Sequence, residues 1–141
     1  NRKALWIFLF PFGYNFDFRT IIAKMNQIGI EGMHFYAFHG VYAHEKETGA
    51  HYTVDVYIDY DFSTAGESDK VDDTINYEKV YKIAEQKMQI PSNLIEKVCV
   101  DILEEIKVVF SSIANARVRV TKHSPPIKGR VDKVFVEKSL V

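Results

Sequence analysis

The chain has 141 residues, which is enough for one domain and not for two of ordinary size. Hydrophobic residues make up 47% of it and charged residues 26%, as in a globular protein. The 18 basic and 19 acidic side chains give a net charge of −1, so the composition predicts no binding to nucleic acid or to an anionic membrane. Cys99 is the only cysteine, which excludes an intrachain disulfide and favours a reducing, cytoplasmic compartment.

The first 24 residues differ in character from the rest of the chain. Two basic residues precede an apolar run over residues 4–12 that Pro11 interrupts, and this run is too short to span a bilayer as a helix. It faintly resembles a secretory signal, but no small-residue cleavage site follows it. Because every organised feature begins after Met25, we expect residues 1–24 to be an N-terminal extension outside the catalytic fold. Met25 would then be the natural start, and residues 25–141 would form the domain.

The first half of the domain is predicted to be mainly β-structure. Residues 28–38 are rich in aromatic and β-prone side chains, which indicates a strand. Residues 44–49 are polar and end in glycine, so we expect a loop there. Apolar and polar side chains then alternate over residues 53–60, the pattern of a half-buried antiparallel strand. The polar stretch 63–73 is expected to be a connection.

Two helices and two further strands follow. Apolar side chains recur at helical spacing over residues 77–89 and again over residues 94–110, with Pro91 between them. Strands are predicted over residues 116–122 and 131–138. The order β-β-α-α-β-β contains no βαβ unit. It therefore predicts an α+β domain in which two helices lie on one face of a four-stranded antiparallel sheet.

The histidines do not predict a metal site. His34, His39 and His44 are spaced five residues apart, so His39 would face away from the other two in an extended chain. A three-histidine zinc site needs converging imidazoles, and this spacing does not supply them. Cys99 lies in the apolar stripe of the second helix and is predicted to be a core residue. We therefore expect no metal ion.

Lys122 is the polar residue that the strand pattern singles out. It shares parity with Val118 and Val120, so it extends an apolar face. Burial there would lower the pKa of the amine toward a value useful for proton transfer. The alternative is a strand-end lysine whose amine reaches back to water, and the residues alone leave both interpretations open.

Three other polar candidates also have ordinary explanations. Asn93 can cap the second helix, and Glu96 would then occupy the third helical position and complete a capping box. A negative charge at Glu96 also suits a helix N-terminus. Tyr77 can be a packing residue, and Glu45 can be a solvated carboxylate in a loop. Residue-level chemistry therefore does not separate these side chains from their neighbours.

The arrangement of these residues is more informative than any one of them. Four segments resemble the signatures of dihydroneopterin aldolases, in family order and with family-like spacing over residues 26–138. Ala50, where many members carry glutamine, and Lys128, where many carry proline, depart from the pattern. The segments are Phe35-Tyr36-Ala37-Phe38-His39-Gly40-Val41-Tyr42 followed by Glu45 and Gly49, Asp73-Thr74-Ile75-Asn76-Tyr77, Asn93-Leu94-Ile95-Glu96, and Val118-Arg119-Val120-Thr121-Lys122 followed by Pro125-Pro126-Ile127.

The resemblance implies a reaction, a fold and an assembly. The family consists of lyases that cleave 7,8-dihydroneopterin into 6-hydroxymethyl-7,8-dihydropterin and glycolaldehyde in folate biosynthesis. The substrate already carries a C=N bond beside its reacting side chain, so the resemblance implies no metal, no cofactor and no lysine Schiff base. It also implies the tunnelling fold and a homo-octamer of two stacked tetrameric rings, with sites between subunits.

The resemblance further implies roles for individual residues. Glu96 is expected to anchor the pterin by accepting hydrogen bonds from its 2-amino group and N3–H. Lys122 is expected to transfer protons with an ordered water, and Glu45 to contact the substrate side chain and that water. Tyr77 is expected to come from a neighbouring subunit and to help protonate the enamine intermediate. Backbone groups near Ile75 and Ile95 are expected to hold the ring.

Three other functions stay open at this point. An epimerase acting on dihydroneopterin or its triphosphate would use similar carbanion chemistry, and it would release no glycolaldehyde. A catalytically silent pterin- or purine-binding module would not need all four polar positions, which this chain retains. A zinc-dependent pterin synthase of similar fold would need a histidine triad, which the histidine spacing does not supply.

Overall fold

Four antiparallel strands form one sheet and neighbour one another in chain order. The computed structural model describes residues 26–141, so the predicted extension over residues 1–24 and Met25 lie outside the described residues. Because the order is consecutive, the first and last strands are the edges of the sheet. The strands are β1 (Asn26–Ala37), β2 (Ala50–Tyr60), β3 (Asn115–His123) and β4 (Lys133–Ser139).

Two long helices and shorter helical turns connect these strands. The predicted order of strands and long helices is confirmed, and the domain is α+β. Within residues 26–141, no helix combines the length and the apolar character needed to cross a membrane. The helices are α1 (Ala43–Thr48), α2 (Ser63–Ser68), α3 (Tyr77–Met88) and α4 (Ile95–Val109), and a 3₁₀ turn covers Val71–Asp73.

The prediction of a loop over residues 44–49 is wrong, because helix α1 covers most of this segment. Its polar residues include glutamate and lysine, which are good helix formers. The carboxylate of Glu45 accepts a hydrogen bond from the backbone N–H of Tyr42 at 3.0 Å and so satisfies a donor at the helix N-terminus. The helix ends at Gly49, whose φ of 69° suits a residue without a side chain. The predicted connection over residues 63–73 likewise contains α2 and the 3₁₀ turn.

The core lies between the long helices and the inner face of the sheet. Every second residue of β2 from Tyr52 to Tyr60 is buried, and β3 continues this face with Val118 and Val120. Each such side chain contributes about 1.5–3 kcal/mol relative to leaving it exposed. Lys122 follows on the same face and is buried with them, so its predicted position is confirmed and the alternative of an amine in water is wrong. The helices add Val80, Ile83, Ala84, Met88, Val98, Cys99, Ile102, Leu103 and Ile106.

Connecting segments meet at the end of the sheet where β2 begins and β3 ends. The N–H of Gly40 donates to the carbonyl of Ser92 at 2.9 Å, and the N–H of Ser92 donates to Nδ1 of His39 at 3.1 Å. These two bonds attach the segment after β1 to the segment between α3 and α4. In the sheet, Tyr52 lies directly opposite Lys122. Polar groups from four distant parts of the chain are therefore collected at this end.

Candidate active site

A cavity of about 280 Å³ opens at this end of the sheet. Its wall is formed by the segment after β1 with helix α1, the start of α4, the end of β3, the following proline segment and the start of β4. It contains four of the six predicted site residues, and most of the remaining wall is apolar. An apolar cavity with a few converging polar groups is the usual form of a small-molecule site. The four residues are Glu45, Ile95, Glu96 and Lys122.

Lys122 and Glu45 form a buried ion pair in the wall of this cavity. The Nζ atom of Lys122 lies 2.5 Å from Oε1 of Glu45, and the two residues are 8% and 9% exposed. Strand β3 supplies Lys122 from the apolar face, and helix α1 supplies Glu45. A buried charge is costly unless it is paired and hydrogen-bonded, so each group permits the burial of the other. The pair places a proton donor and a carboxylate in contact, shielded from bulk water.

This contact sets the protonation state of both groups. Burial alone would lower the pKa of Lys122, but the hydrogen bond to Glu45 and the neighbouring Tyr52 hydroxyl outweigh it, and the pKa is raised. The predicted lowering is therefore wrong, because it considered the apolar face and not the carboxylate that meets the amine there. Burial would raise the pKa of Glu45, but hydrogen bonds from Lys122 and from the Tyr42 backbone lower it. The pair is consequently an ammonium and a carboxylate at neutral pH.

Gly40 makes room for the Glu45 carboxylate. Its φ of 153° lies in the region that side-chain-bearing residues rarely adopt. A Cβ atom at this position would collide with the carboxylate and with the Cβ of Glu45. The glycine in the first matched segment is therefore required by the position of the glutamate that follows it.

His39 is a buried structural partner of the ion pair. Its Nδ1 accepts the N–H of Ser92, so the neutral ring carries its proton on Nε2. Burial, reinforced by the positive charge of Lys122, lowers the pKa of His39 and keeps the ring neutral. Its backbone carbonyl accepts hydrogen bonds from Lys122 Nζ at 3.4 Å and from the Tyr52 hydroxyl at 3.0 Å. Within residues 26–141, no group of three or more His, Cys, Asp or Glu side chains could hold a metal ion.

Sequence reasoning missed His39 and Tyr52 as parts of this site. Every residue has a backbone carbonyl, so the identity of residue 39 does not reveal that its carbonyl accepts hydrogen bonds from Lys122 and Tyr52. Tyr52 did carry a signal, because it continues the alternation of β2 onto the face that Lys122 extends in β3.

Glu96 lies in the cavity wall, but the predicted capping box is wrong. Helix α4 begins at Ile95, its cap residue is Leu94, and no side chain caps it. Asn93 precedes the cap residue, and its Oδ1 instead accepts a hydrogen bond from Lys46 Nζ at 2.5 Å. Glu96 is consequently the second helical residue and is exposed to solvent. Its carboxylate is therefore available to a ligand in the cavity.

The structure places Tyr77 and Ile75 elsewhere. Both line a second cavity of about 420 Å³ at the start of α3. Tyr77 is 62% exposed, whereas Ile75 is buried in the core. Asn76 caps α3 by accepting the N–H of Glu78 at 2.9 Å. A single chain thus does not bring these two residues to the Lys122–Glu45 pair.

Comparison with known proteins decides the family. The family model described as "FolB: Dihydroneopterin aldolase" matches residues 28–139. The dihydroneopterin aldolase of Staphylococcus epidermidis is 40% identical over 111 residues, which cover 78% of this chain and 92% of that protein. The chain belongs to the dihydroneopterin aldolase family. The Bacillus subtilis dihydroneopterin aldolase is 32% identical over 114 residues, covering 80% of this chain and 95% of that protein. The predicted family and the enzyme class, an aldehyde-lyase, are confirmed.

Solved structures agree on the fold of the family. Escherichia coli dihydroneopterin aldolase in complex with neopterin superposes with a TM-score of 0.75 at 21% identity, covering 81% of this chain and 97% of that one. A Burkholderia dihydroneopterin aldolase bound to guanine gives a TM-score of 0.69 at 16% identity, covering 84% and 93%. The predicted tunnelling fold is therefore confirmed.

Proposed function

We propose that this chain cleaves 7,8-dihydroneopterin by a retro-aldol reaction to 6-hydroxymethyl-7,8-dihydropterin and glycolaldehyde in folate biosynthesis. The observation that carries the proposal is the buried Lys122–Glu45 pair, which lines the same cavity as Glu96. A proton-transfer pair and a separate carboxylate match a substrate that has a hydroxylated side chain and a ring with N–H donors. Membership of the dihydroneopterin aldolase family supplies the reaction class.

The reaction breaks the bond between the first and second carbons of the substrate side chain. The hydroxyl on the second carbon loses its proton and becomes the aldehyde of glycolaldehyde. The electron pair of the broken bond moves to the first carbon and into the adjacent C=N bond of the ring, which forms an enamine. A proton then adds to the first carbon and gives the hydroxymethyl product. Because the substrate itself accepts the electron pair, the protein needs only to position the ring and move protons.

The ion pair is suited to moving the first proton. Substrate that fills the cavity displaces water and makes both buried charges more costly, which favours transfer of the Nζ proton of Lys122 to Oε1 of Glu45. The neutral amine then removes the hydroxyl proton, directly or through an ordered water. Glu45 meanwhile contacts the substrate side chain and that water. This step makes Lys122 the general base of the cleavage.

Glu96 is the proposed anchor of the pterin ring. The structure shows no hydrogen bond to its side chain from residues 26–141, and the residue is exposed at the cavity. A carboxylate can accept the parallel 2-amino and N3–H donors of the ring at the same time. Backbone groups near Ile95 in this cavity would hold the ring beside it.

The remaining two residues require an assembly. We infer that Tyr77 and a backbone group near Ile75 complete the site of a neighbouring subunit, because their own cavity is separate from the ion pair. In the proposed homo-octamer, two stacked rings of four subunits each, strands β1 and β4 pair between subunits and cover the sheet edges. We also propose a cytoplasmic location, in keeping with the free, buried thiol of Cys99.

Product analysis tests the proposed reaction. The protein is incubated with 7,8-dihydroneopterin, and the pterins and the released aldehyde are separated and quantified. We expect equal amounts of 6-hydroxymethyl-7,8-dihydropterin and glycolaldehyde, and neither product with the Lys122→Met variant. An epimerised pterin without glycolaldehyde would identify an epimerase instead. Tight pterin binding without any product would identify a binding module.

A further inference from the structure

Tyr52 places a polar group in the core directly beside the ion pair. Its side chain has no solvent exposure, and it is the cross-strand partner of Lys122 in the β2–β3 register. The remaining side chains on this face of β2 before Tyr60 are Val54, Val56 and Ile58, which are apolar. A buried hydroxyl without a partner is costly, whereas an apolar ring at this position would fill the core equally well. The Tyr52 hydroxyl therefore needs a hydrogen-bond partner inside the core.

That partner is the backbone carbonyl of His39. The Tyr52 hydroxyl donates to this oxygen at 3.0 Å, and Lys122 Nζ donates to the same oxygen at 3.4 Å. A carbonyl oxygen has two lone pairs, so one acceptor accommodates both donors. The Lys122 amine also lies 5.7 Å from the centre of the Tyr52 ring. The amine is consequently held by Glu45 from one direction and by the Tyr52–His39 pair from another.

We propose that Tyr52 is a positioning residue for Lys122. Its hydroxyl and the His39 carbonyl fix the amine against Glu45 at the geometry that proton transfer to and from substrate requires. This inference rests on the proposed aldolase function, because it concerns the residue that moves the proton there. It assigns to Tyr52 a part in the reaction that does not require contact with substrate.

The charges around the amine support this role. Glu45 from α1, Tyr52 from β2 and the neutral His39 ring from the segment after β1 all face Lys122, and Glu96 from α4 lines the same cavity. Burial raises the pKa of Tyr52, so its hydroxyl keeps the proton that it donates to the carbonyl. The Tyr52 hydroxyl in turn contributes to the raised pKa of Lys122.

Replacing Tyr52 with phenylalanine removes the hydroxyl and keeps the ring. The matched control is Tyr60→Phe, which makes the same change on the same face of β2 and breaks the contact of Tyr60 with Thr74 instead. For Tyr52→Phe we expect kcat to fall about tenfold with KM within about twofold, because misplacing a proton-transfer group affects the chemical step and not ring binding. A kcat for Tyr52→Phe equal to that of the control would overturn the proposal.

A second measurement does not depend on aldolase activity. The rate at which a lysine is acetylated follows its deprotonated fraction, and mass spectrometry can follow Lys122 separately at each pH. Without the Tyr52 hydroxyl, the pH of half-maximal acetylation should move down, whereas in Tyr60→Phe it should stay at the wild-type value. If wild type shows no cleavage but this shift occurs, the proposed function fails and the positioning role stands. An unchanged midpoint in Tyr52→Phe would contradict the role even if the enzyme is active.

A less disruptive probe covers the case in which Tyr52→Phe does not fold. 3-Fluorotyrosine at position 52 retains the hydroxyl and nearly the same volume, and its ¹⁹F resonance reports nearby changes of charge. Because fluorine makes the phenol more acidic, the label also reports its own ionisation, so the same label is compared in wild type and in Lys122→Met. We expect the ¹⁹F midpoint at position 52 to rise in Lys122→Met, because the nearby positive charge that favours the phenolate is lost, and the midpoint at position 60 to be the same in both backgrounds. Identical ¹⁹F titrations at position 52 in the two backgrounds would show that the hydroxyl does not sense the amine, and this result would overturn the proposal.

Discussion

Lys122 and Glu45 are 77 residues apart in the sequence and 2.5 Å apart in the structure. Neither residue would be stable in its position alone, since each is a charge removed from water. Helix α1 lies between β1 and β2 in the chain and carries Glu45. Gly40, which has no Cβ atom, leaves the space that the Glu45 carboxylate needs. The ion pair thus depends on a short polar helix, a glycine and the parity of a strand, and each of these features can be tested.

Glu45→Gln should lower the pKa of Lys122. The hydrogen bond and charge of Glu45 oppose the effect of burial on the amine, and after the change only the contribution of Tyr52 still opposes it. The midpoint of Lys122 acetylation should therefore fall below that of the wild type. Glu47→Gln, an exposed change in the same helix, is the control and should leave the midpoint unchanged. A midpoint that rises in Glu45→Gln would contradict the assignment.

Glu45→Gln should lower the free energy of unfolding only within a defined pH window. The pKa of Glu45 is lowered by folding, so its contribution is present above the unfolded carboxyl pKa and is lost as pH falls through the folded value. The pKa of Lys122 is raised, so its contribution is present below the unfolded lysine pKa and is lost as pH rises through the folded value. At pH 7 we expect the free energy of unfolding to decrease by about 3 kcal/mol. Denaturant unfolding should show this difference shrinking at acidic and at strongly alkaline pH.

Chelators should leave activity intact, and borohydride should trap no substrate on Lys122. The substrate's own C=N bond accepts the electron pair, so no metal or lysine Schiff base is needed to stabilise it. The test compares rates with and without EDTA and searches by mass spectrometry for a reduced adduct. Activity that EDTA abolishes and zinc restores would refute this expectation.

The strand and helix pattern of the domain could be predicted because it depends on local periodicity. The alternation of β2 and the parity of Lys122 with Val118 and Val120 predicted which side chains face the core. Helix α1 could not be predicted in the same way. It is six residues long, and its turn is stabilised by the side chain of Glu45, which itself meets a residue 77 positions away. A contact of this kind has no local signature.

The candidate site, like the fold, could be predicted from the sequence only in part. The resemblance identified Glu45, Glu96 and Lys122 by position, and the structure brings them to one cavity. The direction of the Lys122 pKa shift was predicted wrongly, because a strand pattern reports burial and not the carboxylate that opposes it. The predicted capping role of Asn93 is wrong because α4 begins at Ile95, so that Leu94, the residue after Asn93, is the N-cap. Helix boundaries are set by competing backbone contacts that a sequence pattern does not resolve.

Mixing two inactive variants should restore activity if Tyr77 completes a neighbour's site. Tyr77→Phe and Lys122→Ala remove groups that lie at separate cavities of one chain. A mixed oligomer contains some interfaces at which both residues are intact, so some activity should return after subunit exchange. The measurement is the rate of the mixture against the sum of the two separate rates, with the mass of the assembly from light scattering. A fully active monomer would rule out the shared site.

Glu96→Gln separates pterin anchoring from a purely structural role. If Glu96 anchors the ring, the amide NH₂ of glutamine faces a ring donor and the charge is lost. Hydrogen bonds to charged groups contribute about 1.5–3 kcal/mol each, so losing two should weaken pterin binding by about 3 kcal/mol or more. That corresponds to about a hundredfold in Kd. Calorimetric titration with a pterin, such as neopterin, measures this difference directly.

If Glu96 has only a structural role, Glu96→Gln should alter the stability of the helix and leave pterin affinity unchanged. Glu96 is the second residue of α4, and it completes no capping box. Its contribution to stability is then limited to its charge near the helix N-terminus, about 0.3–1 kcal/mol. Glu104→Gln, an exposed change further along α4, should alter neither binding nor unfolding and serves as the control. We therefore expect the thermal unfolding midpoint of ligand-free Glu96→Gln to stay close to the wild-type value, while its affinity for the pterin falls about a hundredfold. Near-normal affinity in this variant would remove the central contact from the proposed site, whatever the activity of the chain.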